Sequence, residues 1–260
     1  MVMQSTCVGR LGGFGHSMFQ YAYLRYNTML LGCDCRVETH ADWVGRRVWT
    51  VAGTDDVTGS KLYPRPEFDS VIRAGQHNID LCGFYQRSIH TEGYTTEWLR
   101  ELFVLGKEWE KLNDEIVGSS NYVACHVRRG DMARYQSYDY RIIDVESYEE
   151  KIQELGLGGC EIRWVCEPGT YLGSGRQRWV CTKEDPDDPI LSWLPDFLCL
   201  MGSRVLLRAN SAFSFWAGVL HTGECVFSPN VGGLVGRGKV TFDENNKNRL
   251  MSRWDEFNWA

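Results

Sequence analysis

One uninterrupted stretch, Tyr122-Val123-Ala124-Cys125-His126-Val127-Arg128-Arg129-Gly130-Asp131, joins an apolar segment of strand length to a charged cluster. A short, mainly apolar run of this kind is typical of a strand buried on both faces of a parallel sheet. Open α/β sheets bind their ligands beyond the carboxyl ends of such strands. The stretch therefore predicts an α/β fold with a binding site directly after this strand.

Elsewhere in the chain, short apolar segments alternate with amphipathic ones, which is typical of an α/β protein with parallel sheets. The polar run Gly118-Ser119-Ser120 marks the predicted boundary between two halves. Ser147 and Glu150 have the spacing of a capping box, which predicts a helix beginning at Ser147. We predict a first strand that ends at Gly9 and further strands over 35–39, 79–85, 122–127, 161–166, 178–181, 204–208 and 225–227. We predict helices over 17–31, 95–105, 108–117, 147–155, 191–201 and 243–259, and one more helix that begins at about residue 211.

The composition excludes several classes of protein. With 260 residues, 43% apolar and 24% charged, the chain is neither disordered nor fibrous. Lys and Arg total 28 and Asp and Glu total 34, so the net charge is −6 and the surface as a whole does not attract nucleic acid or an anionic membrane. An anionic ligand must therefore be bound by a local basic cluster.

The cysteines and apolar stretches bear on the cellular location. Ten cysteines are scattered along the chain, and none has the C-x-x-C spacing of zinc sites. Several lie inside apolar runs, which predicts buried thiols in a reducing compartment. No charged-then-apolar leader opens the sequence, and its longest apolar stretches are too short for a membrane span. We therefore expect a cytoplasmic protein without a membrane span.

Two adjacent arginines, Arg128 and Arg129, follow the predicted strand, with His126 two residues before the pair and Asp131 two residues after it. An arginine fork is the preferred partner of a phosphate because its parallel hydrogen bonds match the oxygens of the anion. One arginine could instead form an ion pair with Asp131 that only holds the loop, and His126 could be an ordinary core residue. The cluster predicts a phosphate site, with these alternatives open.

A second anion site is predicted where the strand over 204–208 runs into a helix that begins near Ser211. Serine is a favoured N-cap, and the N–H groups of a helix start bind anions. The alternative is a capped core helix without a ligand. An arginine pair and a helix start in the same half together indicate a pyrophosphate ligand.

Other motifs lead to no site of their own. The glycine-rich turn 9–16 invites a dinucleotide-binding interpretation with Glu38 on the ribose, but its glycine register does not fit. We interpret the turn as backbone that a ligand or another segment approaches closely. The D-x-D spacing within 185–189 occurs in metal sites, yet here it is more typical of a solvated turn before a helix. No G-x-S-x-G nucleophile elbow is present.

Four segments resemble the α1,2-fucosyltransferases and, less closely, the α1,6- and protein O-fucosyltransferases. The segment 9–22 is similar to the family's G-x-L-G-N-Q-M-F-Q-Y-A, and Gly83-Phe84-Tyr85-Gln86 is similar to its G-y-f-Q segment. The stretch 126–131 matches the H-x-R-R-x-D donor motif, and 200–217 is similar to the closing L-M-S…S-N-S-x-F-S-W-W motif. Their order and approximate spacing hold over nearly the whole chain.

The resemblance implies a GT-B glycosyltransferase with two Rossmann-like domains and parallel sheets. Its parts would be an acceptor-side domain over 1–118, a GDP-sugar-binding domain over 119–240, and a segment over 241–260 that returns to the first domain. It implies inverting, metal-independent transfer of L-fucose from GDP-L-fucose to a glycan hydroxyl, with O-2 of a galactose-like sugar as the expected position. The expected partners are this donor and an oligosaccharide or glycoconjugate acceptor, with no cofactor and no nucleic acid.

The same resemblance implies roles for individual residues. Arg128 would grip the β-phosphate as a catalytic residue, with His126, Arg129 and Asp131 organising the pocket around it. Glu167 would contact the guanine or the ribose. The expected substrate-binding residues also include Gly12, Gly13, Gln86, Asn210, Ser211, Ala212, Phe213 and Ser214, of which the last four lie along the pyrophosphate and nucleoside.

The turn before the first helix departs from the family pattern. The Asn-Gln pair after the family's second glycine is missing, and Gly13-Phe14-Gly15-His16-Ser17 stands in its place. His16 is a candidate replacement polar group or catalytic base in its stead, with an exposed loop histidine as the alternative. Because the pair is lost, a catalytically silent sugar- or nucleotide-binding protein stays open as an alternative function. Transfer from another GDP-sugar also stays open, because the phosphate motif indicates the nucleotide diphosphate and says little about the hexose.

Overall fold

The structure is a computed structural model that describes residues 2–5, 7–32, 34–36, 43–50, 61–63, 79–81, 83–86, 88–91, 93–118, 121–130, 141–230 and 236–245. The chain divides into two compact units, Met1–Gly106 and Lys107–Ala260. Each unit contains a sheet with mainly parallel strands and connecting helices. The predicted α/β fold with parallel sheets is therefore confirmed.

The first unit has a small, fully parallel sheet. Its elements are β1 (Val2–Gln4), β2 (Asp34–Arg36), β3 (Lys61–Tyr63), β4 (Ile79–Leu81), α1 (Phe14–Leu31), α2 (Gly45–Val48), α3 (Ser88–Thr91) and α4 (Thr96–Leu102). The strand order is β2-β1-β4-β3, and every pairing in it is parallel. The long helix α1 connects β1 to the parallel strand β2, which is the crossover connection of a Rossmann-like unit.

The first strand ends at Gln4, five residues earlier than the sequence predicts. A turn follows, in which the N–H of Arg10 donates to the carbonyl of Cys7 and Gly9 has a φ of 84°. Glycine adopts this left-handed conformation without a steric penalty. A Cβ at Gly9 would also lie 2.6 Å from the Cβ of Trp43. The glycines therefore belong to a loop between β1 and α1 instead of the end of a strand.

The described cysteines are in two states. Cys7 is disulfide-bonded, so the prediction of thiols is wrong at this position. Elsewhere in the described ranges, Cys125, Cys160, Cys166, Cys181, Cys199 and Cys225 carry free thiols. The prediction of buried thiols is confirmed for Cys125 within a strand, for Cys166 directly after a strand, and for Cys199 within a helix.

The second unit has a larger sheet. Its strands are β5 (Tyr122–His126), β6 (Arg141–Ile143), β7 (Glu161–Val165), β8 (Val205–Leu207), β9 (Cys225–Asn230), β10 (Gly236–Gly238) and β11 (Thr241–Asn245). The main sheet has the order β11-β9-β8-β5-β7, in which β11 alone is antiparallel to its neighbour. Strands β6 and β10 form a separate parallel pair. The continuous apolar run 122–126 is buried throughout, as expected for a central parallel strand.

Within its described residues, the second unit has the helices α5 (Lys107–Val117), α6 (Val145–Glu154), α7 (Leu194–Gly202) and α8 (Ala212–Val219). Helix α5 packs closely on α7, where a Cβ at Gly202 would overlap the side chain of Val117. The helix that precedes Gly118 thus belongs to the second unit, although the sequence assigns it to the first half. Of all helices in the described ranges, none combines the length and the apolar character needed to cross a membrane.

The predicted capping box at Ser147 is wrong. Helix α6 begins two residues earlier, with Asp144 at the N-cap position. The Ser147 hydroxyl instead accepts a hydrogen bond at 2.9 Å from the N–H of Val240, a residue far along the chain. The Ser147 hydroxyl therefore forms a tertiary hydrogen bond, although the local sequence pattern predicts that it caps the helix.

Two further predicted elements differ from the structure. Residues 178–181 form no regular strand, because Arg178 makes only a single parallel bridge with Trp164. The segment Thr241–Asn245 pairs with β9 as an antiparallel strand, so residues 243–245 form a strand where the sequence predicts the start of a helix. The remainder of the predicted C-terminal helix, 246–259, lies outside the described residues.

Candidate functional site

The strand order of the second sheet reverses at β5. The chain passes from β5 to β7 on one side and then to β8 on the other side. Such a switch point leaves a crevice beyond the carboxyl ends of the strands, where open α/β sheets bind ligands. Arg128 follows β5 and Ser211 follows β8, so both predicted anion-binding elements lie at this crevice.

Arg128 and Ser211 are in direct contact. The Nη1 of Arg128 donates to the Oγ of Ser211 at 2.9 Å, and the same oxygen accepts from the N–H of Phe213 at 3.2 Å. Ser211 is the N-cap of α8, and the first N–H groups of a helix lack partners within it. Because Oγ accepts two hydrogen bonds, its own proton remains for donation, and no described residue receives it. The crevice therefore presents a cation, a hydroxyl donor and a positive helix end.

Arg129 holds the loop that follows β5. Its guanidinium donates to the carbonyls of Ile143 at 2.7 Å and Arg128 at 3.2 Å. Its N–H donates to Oε2 of Glu167 at 3.2 Å. A Cβ at Gly130 would lie 2.8 Å from Oε1 of the same glutamate, so a side chain there would displace the carboxylate. Glu167, for which a nucleoside contact is predicted, is thus observed as a support of the arginine loop.

His126 ends β5 and is 7% exposed. Its Nδ1 is buried without a hydrogen-bond partner in the described ranges, while its carbonyl accepts from the hydroxyl of Tyr148 at 2.8 Å. Burial, together with the positive charges of Arg128 and Arg208, lowers its pKa to about 3. The imidazole is therefore neutral, and its unsatisfied nitrogen is a polar atom that a ligand or a water molecule can bond.

Arg208 is a residue of this crevice that the sequence analysis did not single out. It follows β8 as Arg128 follows β5, and it is 1% exposed. Its Nη1 donates to the Oγ of Ser228 at 2.6 Å, and its guanidinium lies 5.1 Å from the ring centre of Phe215. Arginine is rarely buried in this way. The feature of the sequence that could have indicated Arg208 is a cationic residue at the end of an apolar strand.

Asp196, in the first turn of α7, is a second group that the sequence analysis did not single out. Its Oδ2 accepts from Nη2 of Arg178 at 3.1 Å, and this arginine also donates to Glu184 at 2.9 Å and to the carbonyl of Cys166 at 2.6 Å. Burial raises the pKa of Asp196 to about 7, although the cation of Arg178 opposes this change. Its Oδ1 is buried without a hydrogen-bond partner among the described residues. The carboxyl group is thus a buried acceptor that titrates near neutral pH.

The other predicted residues of the helix start contribute mainly backbone. Ser214 donates its hydroxyl to the carbonyl of Ala209 at 3.1 Å, so this side chain already has an internal partner. Asn210 and Ala212 are buried as well. The N–H groups of this turn are therefore what the helix start offers to an anion. Asp131, predicted to organise the pocket, lies outside the described residues.

The predicted site residues of the first unit follow β1 and β4. His16 is in the first turn of α1, where its Nδ1 accepts from the N–H of Gly13 at 3.2 Å. Gly12 has a φ of 78°, and a Cβ on it would lie 2.7 Å from the His16 ring. Gln86 is buried. His16 is thus held in place by the glycine turn.

The carboxylates within 185–189 bond to their own turn. Oδ1 of Asp185 accepts from the N–H of Asp187 at 3.0 Å, and Oδ1 of Asp188 accepts from the N–H of Ile190 at 2.7 Å. Such bonds are typical of aspartate in turns. Nowhere in the part of the chain that the structure describes do His, Cys, Asp and Glu form a group suited to a metal ion.

Comparison with known proteins finds similarity at the level of structure. The sequence matches no protein-family profile and no curated protein. The α-1,6-fucosyltransferase NodZ co-crystallised with GDP is 14% identical with a TM-score of 0.59, over 94% of this chain and 98% of NodZ. NodZ from Bradyrhizobium is 12% identical with a TM-score of 0.59, over 94% and 99%. NodZ soaked with GDP-fucose is 12% identical with a TM-score of 0.54, over 94% of this chain and 99% of NodZ.

At identities this low, the likeness establishes the fold. The chain has the GT-B fold of these fucosyltransferases, and the match extends over nearly the full length of both proteins. The predicted fold class is therefore confirmed. A fold by itself does not define an activity, which has to be argued from the site.

Proposed function

We propose that this chain is an inverting glycosyltransferase that moves L-fucose from GDP-L-fucose to a hydroxyl of a glycan. The observation that carries the proposal is the contact between Arg128 and Ser211 at the switch point of a sheet in a GT-B fold. The likeness to fucosyltransferase structures prepared with GDP and with GDP-fucose supports the choice of donor. The expected acceptor position is O-2 of a galactose-like sugar, as in the family that the sequence motifs resemble.

In the proposed complex, the diphosphate binds between Arg128 and the start of α8. The guanidinium donates to the phosphate oxygens, and Ser211 donates the hydroxyl proton that no described residue receives. The N–H groups of the first helical turn complete the anion site. Arg129 and Glu167 hold the loop that carries Arg128, so these donors are in place before the ligand arrives.

The proposed reaction breaks the bond between the anomeric carbon of fucose and the oxygen of the β-phosphate. The acceptor hydroxyl attacks from the opposite face, which inverts the anomeric centre, and its proton passes to solvent. GDP leaves with the bonding electrons, so negative charge grows on the β-phosphate in the transition state. Arg128 stabilises this charge without moving a proton, and an interaction that strengthens in the transition state raises kcat. Because arginine supplies the positive charge, the proposal includes no metal ion.

His126 has a positioning role in this proposal. A histidine with a pKa of about 3 is neutral at physiological pH and carries no proton for an imidazolium-type acid step. Its buried Nδ1 lies among groups that also include the charges of Arg128 and Arg208. We therefore assign it to the hydrogen-bonding framework beneath the phosphate site, together with the buried guanidinium of Arg208.

A donor panel tests the proposal. The purified protein is incubated with GDP-fucose, GDP-mannose or UDP-sugars, and nucleotide release is measured with and without a β-galactoside. We expect GDP release from GDP-fucose and a higher rate when the acceptor is present. Release from GDP-mannose in its place would assign a different GDP-sugar. Binding of GDP without release from any donor would identify a silent nucleotide-binding protein and contradict the proposed transfer.

A further inference from the structure

We propose that Phe84 and His16 form the binding site for the acceptor sugar, with Phe84 stacking on the apolar face of a β-galactoside. The inference rests on the proposed glycosyl transfer and assigns the residues that select the acceptor. Strand β1 lies between β2 and β4, and the chain visits β2 before it reaches β4 on the other side. The switch point of the first sheet is therefore at the ends of β1 and β4. His16 follows β1, and Phe84 follows β4.

The backbone around Phe84 holds its side chain outward. The next residue, Tyr85, has a φ of 52°, a left-handed conformation that is rare for a residue other than glycine. Its ring is buried, stacks on Tyr23 at 4.1 Å and meets His90 edge-on at 5.5 Å. The Phe84 side chain remains 45% exposed. Strained residues persist where their surroundings hold them, and they cluster at functional sites.

A second ring borders the exposed phenyl ring. The centroids of His16 and Phe84 are 5.3 Å apart, and the two rings are inclined by 65°. Because Nδ1 of His16 accepts from the N–H of Gly13, the ring nitrogen that can donate is Nε2. His16 is therefore a hydrogen-bond donor at the edge of an apolar surface. This geometry favours a role for His16 as a hydrogen-bond donor that orients a sugar hydroxyl. It does not favour the role of catalytic base.

An apolar ring with a donor at its edge fits one face of galactose. The axial hydroxyl at C4 leaves the C–H bonds of C3, C4 and C5 on one side of the sugar, and this side loses water when it stacks on an aromatic ring. Glucose distributes its C–H bonds over both faces and offers a smaller apolar area to the ring. We therefore infer that the site binds a β-galactoside in preference to a β-glucoside.

Saturation-transfer NMR on the full chain in the presence of GDP tests this site directly, with methyl β-galactoside and methyl β-glucoside as probes. We expect the strongest saturation at the C3, C4 and C5 protons of the galactoside. Phe84→Ala should abolish it and Phe84→Trp should keep it. Leu30→Ala, which truncates an apolar side chain of the same unit that is 62% exposed, is the matched control. In transfer assays, Phe84→Ala should raise the KM for the galactoside about tenfold with little change in kcat.

The donor role of His16 has its own pair of variants. His16→Gln retains an N–H donor and should keep most of the galactoside affinity, whereas His16→Ala should lower it. Equal losses in both variants would overturn the donor role.

Three results would overturn the acceptor site: equal saturation in the wild type and Phe84→Ala, equal binding of the two sugars, or no binding of the galactoside by the wild type. These outcomes are separable from a failure of the proposed transfer. A protein that binds galactoside through Phe84 but releases no GDP from GDP-fucose contradicts the transferase proposal alone.

Discussion

The two units have the same kind of sheet, yet the residues that follow their strands differ in chemistry. The second unit places two arginines after β5 and β8, Arg128 and Arg208, and connects them by hydrogen bonds to buried or partly buried hydroxyls. The first unit places His16 and the exposed ring of Phe84 after β1 and β4. Topology thus determines where a site lies, and the residues after the strands determine what it binds. The proposed division is an anion site in the second unit and an apolar sugar site in the first.

The largest effect is expected at the anion site. Arg128→Ala should lower kcat with GDP-fucose about a hundredfold or more, because a preorganised donor to a developing negative charge contributes about 3 kcal/mol. Arg204→Ala is the matched control, since Arg204 lies at the opposite end of β8 in an ion pair with Glu224 at 2.9 Å. Steady-state kinetics and calorimetry with GDP measure both variants. Near-normal turnover of Arg128→Ala would show that Arg128 does not stabilise the transition state, which contradicts the proposed anion site.

A glycine pair probes the sugar site. Gly12 and Gly32 both have positive φ values, 78° and 55°, so alanine should destabilise each by about 1 kcal/mol. A Cβ at Gly12 would displace His16, whereas a Cβ at Gly32 would meet no atom within 4 Å. Gly12→Ala should therefore lower transfer to a galactoside about tenfold, and Gly32→Ala should not. Equal transfer rates for the two variants would show that the position of His16 does not affect acceptor binding.

The buried carboxyl of Asp196 makes stability depend on pH. Its pKa is raised from 3.8 to about 7, so between these values the folded protein holds a proton that the unfolded chain has lost. Stability therefore falls as pH rises through this window, by at most about 1.4 kcal/mol per pH unit. His126 has the opposite effect, because its lowered pKa of about 3 makes stability fall as pH drops below its usual value.

Asp196→Asn isolates the first of these effects. Urea unfolding of the wild type and the variant from about pH 4 to pH 8 should show the wild type losing stability relative to the variant as pH rises to 7. The difference should level off above that pH. If the two curves of stability against pH were parallel, the pKa of Asp196 would not be raised in the folded protein, and its carboxyl group would be ionised over the whole range.

The smallest effect separates a helix cap from a ligand donor. Ser211 and Thr95 are both N-caps whose hydroxyls accept from a backbone N–H, at 3.2 Å and 3.1 Å. Alanine at either position should reduce the free energy of unfolding by about 1 kcal/mol. Only Ser211→Ala should also weaken GDP binding, roughly fivefold for one hydrogen bond. Unchanged GDP affinity in both variants would restrict Ser211 to capping.

Elements with a strong local pattern could be predicted from the sequence. Strand β5 was placed to within one residue, because a central parallel strand is buried on both faces and reads as a continuous apolar run. The start of α8 was placed correctly because Ser211 is an N-cap. The predicted first strand runs to Gly9, whereas β1 ends at Gln4 and a turn that contains Gly9 follows a few residues later. The Ser147 capping box was wrong, because Val240 binds that hydroxyl in the folded chain.

The α/β class and the candidate anion-binding residues after β5 and β8 could be predicted from neighbouring residues in the sequence, because a buried strand and an arginine pair each leave a local pattern. The contact of Arg128 with Ser211, 83 residues away, and that of Phe84 with His16 arise when the chain folds. The same holds for the burial of Arg208 and of the Oδ1 atom of Asp196. These properties depend on which strands become neighbours and on what covers each side chain, and a local pattern carries no record of either.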